Sequence, residues 1–336
     1  MNKLVKIFIS LIILNTFSLA QTHISTDTEW TSDQVLTGAV IVDAGATLTI
    51  AAGVQVQTFF VDTDADNIGD VEIEVLGGLK INGTPANPVL FKPYETTTNK
   101  NYWTGIVINS SISNESLNFF KVYNANTGID ISSPTFITGG TVRNSGETGI
   151  NVNTVSDGNV FLNDITVKHS DGDGIIINSP NVTANWVMVD SCGGDGLFIN
   201  EFGVVGLTNS TISNSGANGI YISDGDITVL NSIIYSNDGH GIKNSSGSFD
   251  ISSTDILNNG FYGVIIGGAG SNSINLSTLS NNTCAGIEIT EYNLDYTDVY
   301  EDPSNPEMSW VSQFVTEAEP TFEIQNSNLL DNGRNP

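Results

Sequence analysis

The chain has 336 residues, with 37 acidic against 10 basic side chains and a formal net charge of −27. Such a surface repels nucleic acid and anionic lipid, and it repels polyanionic sugars unless cations bridge them. Only 14% of the residues are charged and 39% are hydrophobic, which excludes charge-driven disorder and allows a large core. The 34 glycines, with abundant Asn, Ser, Thr, Ile and Val, point to many short strands and turns.

The first segment, MNKLVKIFISLIILNTFSLA, has Lys3 and Lys6 ahead of an apolar run over 7–14 and ends in Ser18-Leu19-Ala20. This pattern predicts a secretory signal peptide over residues 1–20, cleaved after Ala20. The apolar run is shorter than the ~20 residues a membrane helix needs. Export, to the medium or the cell surface, is the localisation expected. Without Lys3 and Lys6 the mature net charge becomes −29.

Strand-like alternation then begins in GAVIVDAGATLTIAAGVQV and returns in LGGLKINGTPANPVLFKP, which places the opening coils at about 30–92. Between them lies VDTDADNIGD, where Asp62, Asp64, Asp66 and Asp70 alternate along one loop. Ca²⁺ takes six to eight hard oxygen ligands, and alternate carboxylates on a curling loop converge on one point. The other reading is a solvated acidic hairpin tip.

From about 103 to 289 the chain repeats. Its anchor is Gly-φ-x-φ, with φ aliphatic, at Gly105, Gly128, Gly149, Gly174, Gly196, Gly219, Gly241, Gly263 and Gly286. The intervals are 23, 21, 25, 22, 23, 22, 22 and 23 residues. Each anchor follows a second strand-like half, as in ITVLNSIIYSNDGHG and FDISSTDILNNGFYG. Two or three strands in about 22 residues leave no room for helical crossovers, and one coil cannot bury its inner face alone. Stacked coils of an all-β parallel solenoid satisfy both constraints. Asn144, Asn214, Asn258 and Asn281 recur about five residues before an anchor and predict an amide ladder at one corner. The anchor glycine is expected at a sharp turn of positive φ.

In that register Asp173, Asp195, Asn218 and His240 share the place just before the anchor in four consecutive coils. The outward residue of the anchor strand reads Asp130, Asn151, Ile176, Phe198, Tyr221, Lys243, Ile265, Glu288. Phe198 and Tyr221 are therefore neighbours, with Asp195 and His240 beside them. A sugar can lie on two aromatic faces while carboxylates accept its hydroxyls. Two adjacent carboxylates could also serve hydrolysis or hold Ca²⁺. The bland reading is that Asp-Gly recurs because it suits turns. Cys192 and Cys284 fall four coils apart, too far for a disulfide.

After Ile289 the repeat breaks. Residues 290–320 are an acidic excursion with three tyrosines, Trp310 and no Lys or Arg, expected to be either a flap over the solenoid edge or a binding surface. A partial last coil, 321–336, repeats the half before the anchor, and further coils or a cap are expected to follow it.

The anchor repeat and the opening coils resemble the right-handed parallel β-helix family, the pectate-lyase-like solenoids, and in particular secreted bacterial proteins of the Bacteroidetes type. Right-handedness is what that resemblance implies, as is action on polysaccharides. Gly239-His240-Gly241 resembles an active-site segment of polygalacturonases, yet no Arg-x-Lys motif accompanies it and the only arginines are Arg143 and Arg334. The other coils put different residues in the place of His240, so the turn reading is preferred. The 62–70 loop resembles a thrombospondin type 3 calcium repeat, with Asn67 at a usual glycine and without the cysteines. The role expected is glycan binding or adhesion at the cell surface. The alternatives are a polysaccharide lyase or glycoside hydrolase, with Asp173, Asp195 and His240 as candidate catalytic groups, and a structural stalk.

Overall fold

A computed structural model describes residues 21–110, 115–154, 158–200, 203–267, 270–290 and 321–332. The segment expected to be a signal peptide, residues 1–20, and residues 291–320 of the acidic excursion lie outside the described residues. The described chain is an all-β parallel solenoid of about eleven turns, with coils about 23 residues apart. No described helix is long and apolar enough to cross a membrane.

Three faces run the length of the stack. Face 1 is a twelve-stranded parallel sheet, from Thr22–Ile24 through the anchor strands to Ile287–Ile289. Faces 2 and 3 are fused in the middle of the molecule. Four nine-residue strands, Glu115–Tyr123, Thr135–Arg143, Val160–Lys168 and Val182–Asp190, run along face 2, bend, and continue along face 3. From Val204–Thr208 onward each is replaced by a five-residue and a three-residue strand. Every strand pair is parallel and in register, such as Ile220↔Ile242 and Ile242↔Val264.

The alternation read from the sequence is the alternation of burial. Ile150 and Val152 point inward and Asn151 outward, and this pattern holds strand after strand on face 1. Trp103, Phe91 and Phe120 are the largest fully buried side chains in a continuous aliphatic core. The β-helix domain was expected over 21–336, and Thr22–Ile24, ahead of the opening coils read at about 30–92, pairs with Val40–Val42. That strand is only three residues long, too short for alternation to reveal. At the other end Thr321–Gln325 pairs with Ser271–Asn275, so the chain re-enters the stack one coil after it leaves at Thr290.

Two corners turn through a residue of left-handed backbone. The corner from face 2 to face 3 uses Asp164, Asn209, Asn231 and Ser253, all with φ between 50° and 55°. The corner from face 3 to face 1 uses Asn144, His169, Ser191, Asn214, Ser236, Asn258 and Asn281, with φ of 53–61°. Asn tolerates this region better than most residues.

The asparagines expected to form a ladder are therefore turn residues, and the ladder lies one residue later. Asn237, Asn259 and Asn282 are buried. In each step Oδ1 of the following coil's asparagine accepts two bonds from the preceding one. Asn237 N donates to Asn259 Oδ1 at 3.2 Å and its Nδ2 at 2.9 Å; Asn259 does the same to Asn282, which does the same to Asn332. At the other corner buried hydroxyls play this part: Ser210 N donates to Ser232 Oγ, Ser232 N to Thr254 Oγ1, and Thr254 N to Ser277 Oγ. In the earlier coils the place of Ser210 is held by Ile165 and Val187, and the strand runs through the bend. The Val187 N–H already donates to Ser210 Oγ at 3.0 Å inside the undivided strand Val182–Asp190; the strand divides from the next coil on, where serine or threonine itself holds this place.

The anchor glycine also has a different cause from the one expected. Among the anchors only Gly105 has positive φ, at 132°. The rest are glycine because the next coil leaves no room. A Cβ on Gly241 would meet Ile256 Cγ2 at 2.4 Å and the Gly263 carbonyl oxygen at 2.5 Å. Cys192, which is buried, and Cys284 are both free thiols, in coils four apart as the register requires.

Asn259→Ala would strand two donors of Asn237 and a lone pair of Asn282. A loss of about 2–4 kcal/mol is expected in urea unfolding. Asn258→Gly next to it, at a turn of positive φ, is expected to stay within about 0.5 kcal/mol. Equal losses would contradict the ladder assignment.

Candidate functional site

The outward side chains of face 1 form in-register rows. In one, Ile176, Phe198, Tyr221 and Lys243 follow one another on successive coils. Phe198 and Tyr221 stack, with ring centroids 5.2 Å apart and planes 26° apart. Lys243 Nζ lies 4.7 Å from the Tyr221 ring centroid, which adds a cation–π contact to the stack. Ser245 Oγ donates to the Tyr221 hydroxyl at 3.4 Å.

The second row is the place before the anchor. Asp173 Oδ1 accepts the backbone N–H of Asp195 at 2.6 Å. Asp195 Oδ1 accepts the N–H of Asn218 at 2.8 Å and its Nδ2 at 2.9 Å. Asn218 Oδ1 accepts the N–H of His240 at 3.1 Å, and His240 Nδ1 faces the N–H of Tyr262 at 3.4 Å. The His240 ring stacks on Tyr262 at 5.5 Å with planes 4° apart, and Phe261 tilts against it at 5.6 Å. Each side chain in the row thus caps the turn of the following coil. Asn218 does so without a charge, so this part of the role of Asp173 and Asp195 is structural.

Burial sets the electrostatics of this row. It raises the pKa of Asp173, helped by the neighbouring Asp195 charge and opposed by the Asp195 N–H. It raises that of Asp195 too, against the two bonds from Asn218 and the Lys243 charge. Burial, and then Lys243, lower the pKa of His240. The face therefore combines two carboxyls with raised pKa values, an imidazole with a lowered one, a phenol and one ammonium beside an aromatic platform. The sequence register brought Asp173, Asp195, Phe198, Tyr221 and His240 to this face. It missed the Lys243 contact and the aromatic wall of Phe261 and Tyr262, although GFYG occupies the same frame as DGHG.

The second group lies far along the stack, in the connection between Gln55–Thr58 and Glu72–Val75. One oxygen each of Asp62, Asp64 and Asp70 lie within 4.8 Å of one another. Asp66 is not with them: its Oδ1 accepts the N–H of Ile68 at 2.7 Å. The loop curls through Ala65 and Asn67 at φ of 63° and 69°, and Asp62 accepts the N–H groups of both. This donor set suits Ca²⁺ in charge and hardness.

Two family models match the chain: a pectate-lyase-like β-helix domain over residues 22–149 and a right-handed β-helix region over residues 173–298. This is a pectate-lyase-like right-handed β-helix protein. A sequence comparison with curated proteins finds no match. Among solved structures, a double mutant of the periplasmic alginate epimerase AlgG superposes on the β-helix with a TM-score of 0.65 at 11% identity, covering 91% of this chain and 77% of that one. The same epimerase without substitutions gives 0.59 at 12% identity, over 88% and 77%. The A-module of the Azotobacter vinelandii mannuronan C-5 epimerase AlgE6 gives 0.48 at 12% identity, over 92% and 89%. At these identities the likeness is one of fold.

Two measurements address the site. Isothermal titration with Ca²⁺ is expected to give heat with the natural β-helix protein and none with Asp64→Ala/Asp70→Ala; equal heats would remove the loop as the ion site. The second is stability against pH. A carboxyl whose pKa is raised by folding holds more protons in the folded state, so its contribution to stability grows as pH falls through the folded value and is complete below the unfolded one. Asp195→Asn, which can keep the Oδ1 acceptor, is expected to be more stable than the natural chain at neutral pH. The difference should close as pH falls below the ordinary Asp range; a gap that stays constant with pH would contradict the burial argument.

Proposed function

We propose that this β-helix protein binds a polysaccharide across face 1, outside the cytoplasm, with Phe198 and Tyr221 as the platform. The observation that carries this reading is the stacked outward pair on adjacent coils. Two large rings on the solvent side of a solenoid add nothing to its core, and a contiguous apolar surface of this kind marks a contact site. Aromatic faces pack against the C–H faces of sugar rings. Asp173, Asp195, Asn218 and His240 flank the platform with acceptors and a donor for hydroxyls. Parallel coils repeat these features along one axis, which suits an extended chain ligand. The solved structures of like fold include enzymes named for alginate and mannuronan, which makes such polymers a sensible part of a ligand panel. If the 62–70 loop holds Ca²⁺, that ion would also lower the repulsion between an acidic polymer and this acidic surface.

A lyase or glycoside hydrolase acting at the same face is the second reading. It is favoured by the direction of the shifts: burial favours the protonated form of both carboxyls and the neutral imidazole, the directions an acid and a base need. Against it stands the use of each of those groups in the turn ladder.

Phe198→Ala/Tyr221→Ala is expected to weaken binding strongly on a panel of marine and plant polysaccharides while circular dichroism and melting change little. Unchanged binding would end the proposal. Asp195→Asn separates the two readings. If the face only binds, retention on the polysaccharide persists and no new reducing ends or unsaturated products appear with either protein. If it is catalytic, products form with the natural chain and disappear with the variant.

A further inference from the structure

Positive charge is scarce in this molecule, and where it sits is informative. Seven of the ten Lys and Arg residues are described. Four of them, Lys92, Lys121, Arg143 and Lys168, project outward from face 3 on consecutive coils. Val122 pairs with Phe91, so Lys92 and Tyr123, the next residue on each strand, are side by side. Tyr123 pairs with Arg143, Arg143 with Lys168, and Lys168 with Asp190. Lys121 is on the Tyr123 strand two residues earlier and faces the same way. The other outward residues of these strands are Leu90, Thr141, Thr166 and Met188, so the strip carries one acid among its side chains.

That acid is already used. Asp190 Oδ2 pairs with Lys168 at 3.2 Å, and its Oδ1 accepts Asn214 and Ser213. At the edge of the strip Asp171 is paired with Lys100. Among the described residues Lys92, Lys121 and Arg143 have no ion pair, and Arg143 Nε is buried with no hydrogen-bond partner. Like charges placed opposite one another across strands are destabilising, and a buried donor without an acceptor costs free energy. Arg143 and Lys168 on adjacent coils incur the first cost, and Arg143 Nε the second. Asp190 offsets the charge of Lys168, while the charge of Arg143 has no acidic partner among the described residues. A ligand that brings its own anionic oxygens to the guanidinium would supply one.

We propose that face 3 is a second, separate binding strip for an acidic glycan, with Arg143 as its fork and Tyr123 as its platform. A planar guanidinium takes two oxygens of a carboxylate or sulfate at once. Lys92 and Lys121 border Tyr123 and would meet the charges of neighbouring sugars. Parallel coils about 4.8 Å apart present these groups at regular steps along the axis. A polymer with an anion on each unit matches that spacing of charge better than an isolated anion does. The acidic surface around the strip repels nucleic acid and acidic glycan alike, and the oligodeoxynucleotide arm of the test separates the two. The strip is on a different face from Phe198 and Tyr221, and its test does not depend on them.

The full chain is titrated calorimetrically, at low and at physiological salt, with three oligosaccharides of equal length: an oligouronate, a sulfated galactan fragment and a neutral cello-oligosaccharide. At least one of the two anionic oligomers is expected to bind with an affinity that falls as salt rises, and the neutral one not to bind through this strip. The preferred oligomer tells carboxylate from sulfate. Arg143→Gln should weaken binding by about tenfold or more, the loss of one charge-assisted fork. Arg143→Lys should fall between, because it keeps the charge and loses the fork. Lys121→Gln, on an outward position of the same strip, should weaken binding by about threefold and covers the case in which an Arg143 variant misfolds. The salt-dependent part of the binding, which Arg143→Gln weakens, should persist in Phe198→Ala/Tyr221→Ala. The proposal is overturned if neither anionic oligomer binds, if the folded Arg143→Gln and Lys121→Gln variants bind as the natural chain does, or if a single-stranded oligodeoxynucleotide binds as tightly as the glycan.

Discussion

From Val187 onward the coils of this solenoid share one problem at their bends: a backbone N–H that needs a partner outside its own coil. The structure meets it by placing a side-chain acceptor on the adjacent coil. At the two left-handed corners that acceptor points inward, as asparagine or a hydroxyl. At the entry to face 1 it is the outward ladder of Asp173, Asp195 and Asn218. Core packing, the glycine anchors and the register of all three faces follow from coils held this close. A Cβ at Gly174, Gly196 or Gly241 would strike the coil that the ladder draws in.

The same stacking dictates what the surface can do. Residues that occupy equivalent places become neighbours whether or not their chemistry agrees, so each outward row is a one-dimensional array. Where the array is Asp130–Asn151 or Asn163–Asn185 it satisfies itself by hydrogen bonding. Where it is Phe198–Tyr221, or Tyr123–Arg143–Lys168, it does not, and these rows have the most to gain from a partner. The two contrast in sign. The face 1 platform is bordered by carboxyls whose pKa values burial raises, whereas face 3 carries four of the seven described cations.

Much of this was readable from residue spacing. The Gly-φ-x-φ period fixed which residues lie over one another on face 1, and from it the Phe198–Tyr221 contact and the separation of Cys192 from Cys284 followed directly. The corners were harder. In Asn258-Asn259 and Asn281-Asn282 both residues are polar, and nothing in the letters says which one takes positive φ and which turns inward. The reading chose the first, and the ladder is the second. The cations of face 3 were not seen at all. They stand in the half-coil before the anchor, where no invariant residue marks the register, and the strand Val89–Pro93 is separated from its neighbour by a connection of different length. Asp66 shows a further limit: alternation suggested four converging carboxylates, and one of them was needed to turn the loop.

The ladders differ in direction. Asn237 gives its N–H to the coil that follows, whereas Asn218 gives its N–H to the coil that precedes. The coil of Asn237 and His240, where both ladders run, therefore presents the same pair of sockets, one donor and one acceptor, on both its upper and its lower surface. A further coil of this kind inserted beside it would find both sockets filled and would offer the same pair again. In such a molecule length is an almost free variable. A gene can gain or lose units of about 22 residues without redesigning the joints, and the reach of the binding rows would grow or shrink with it.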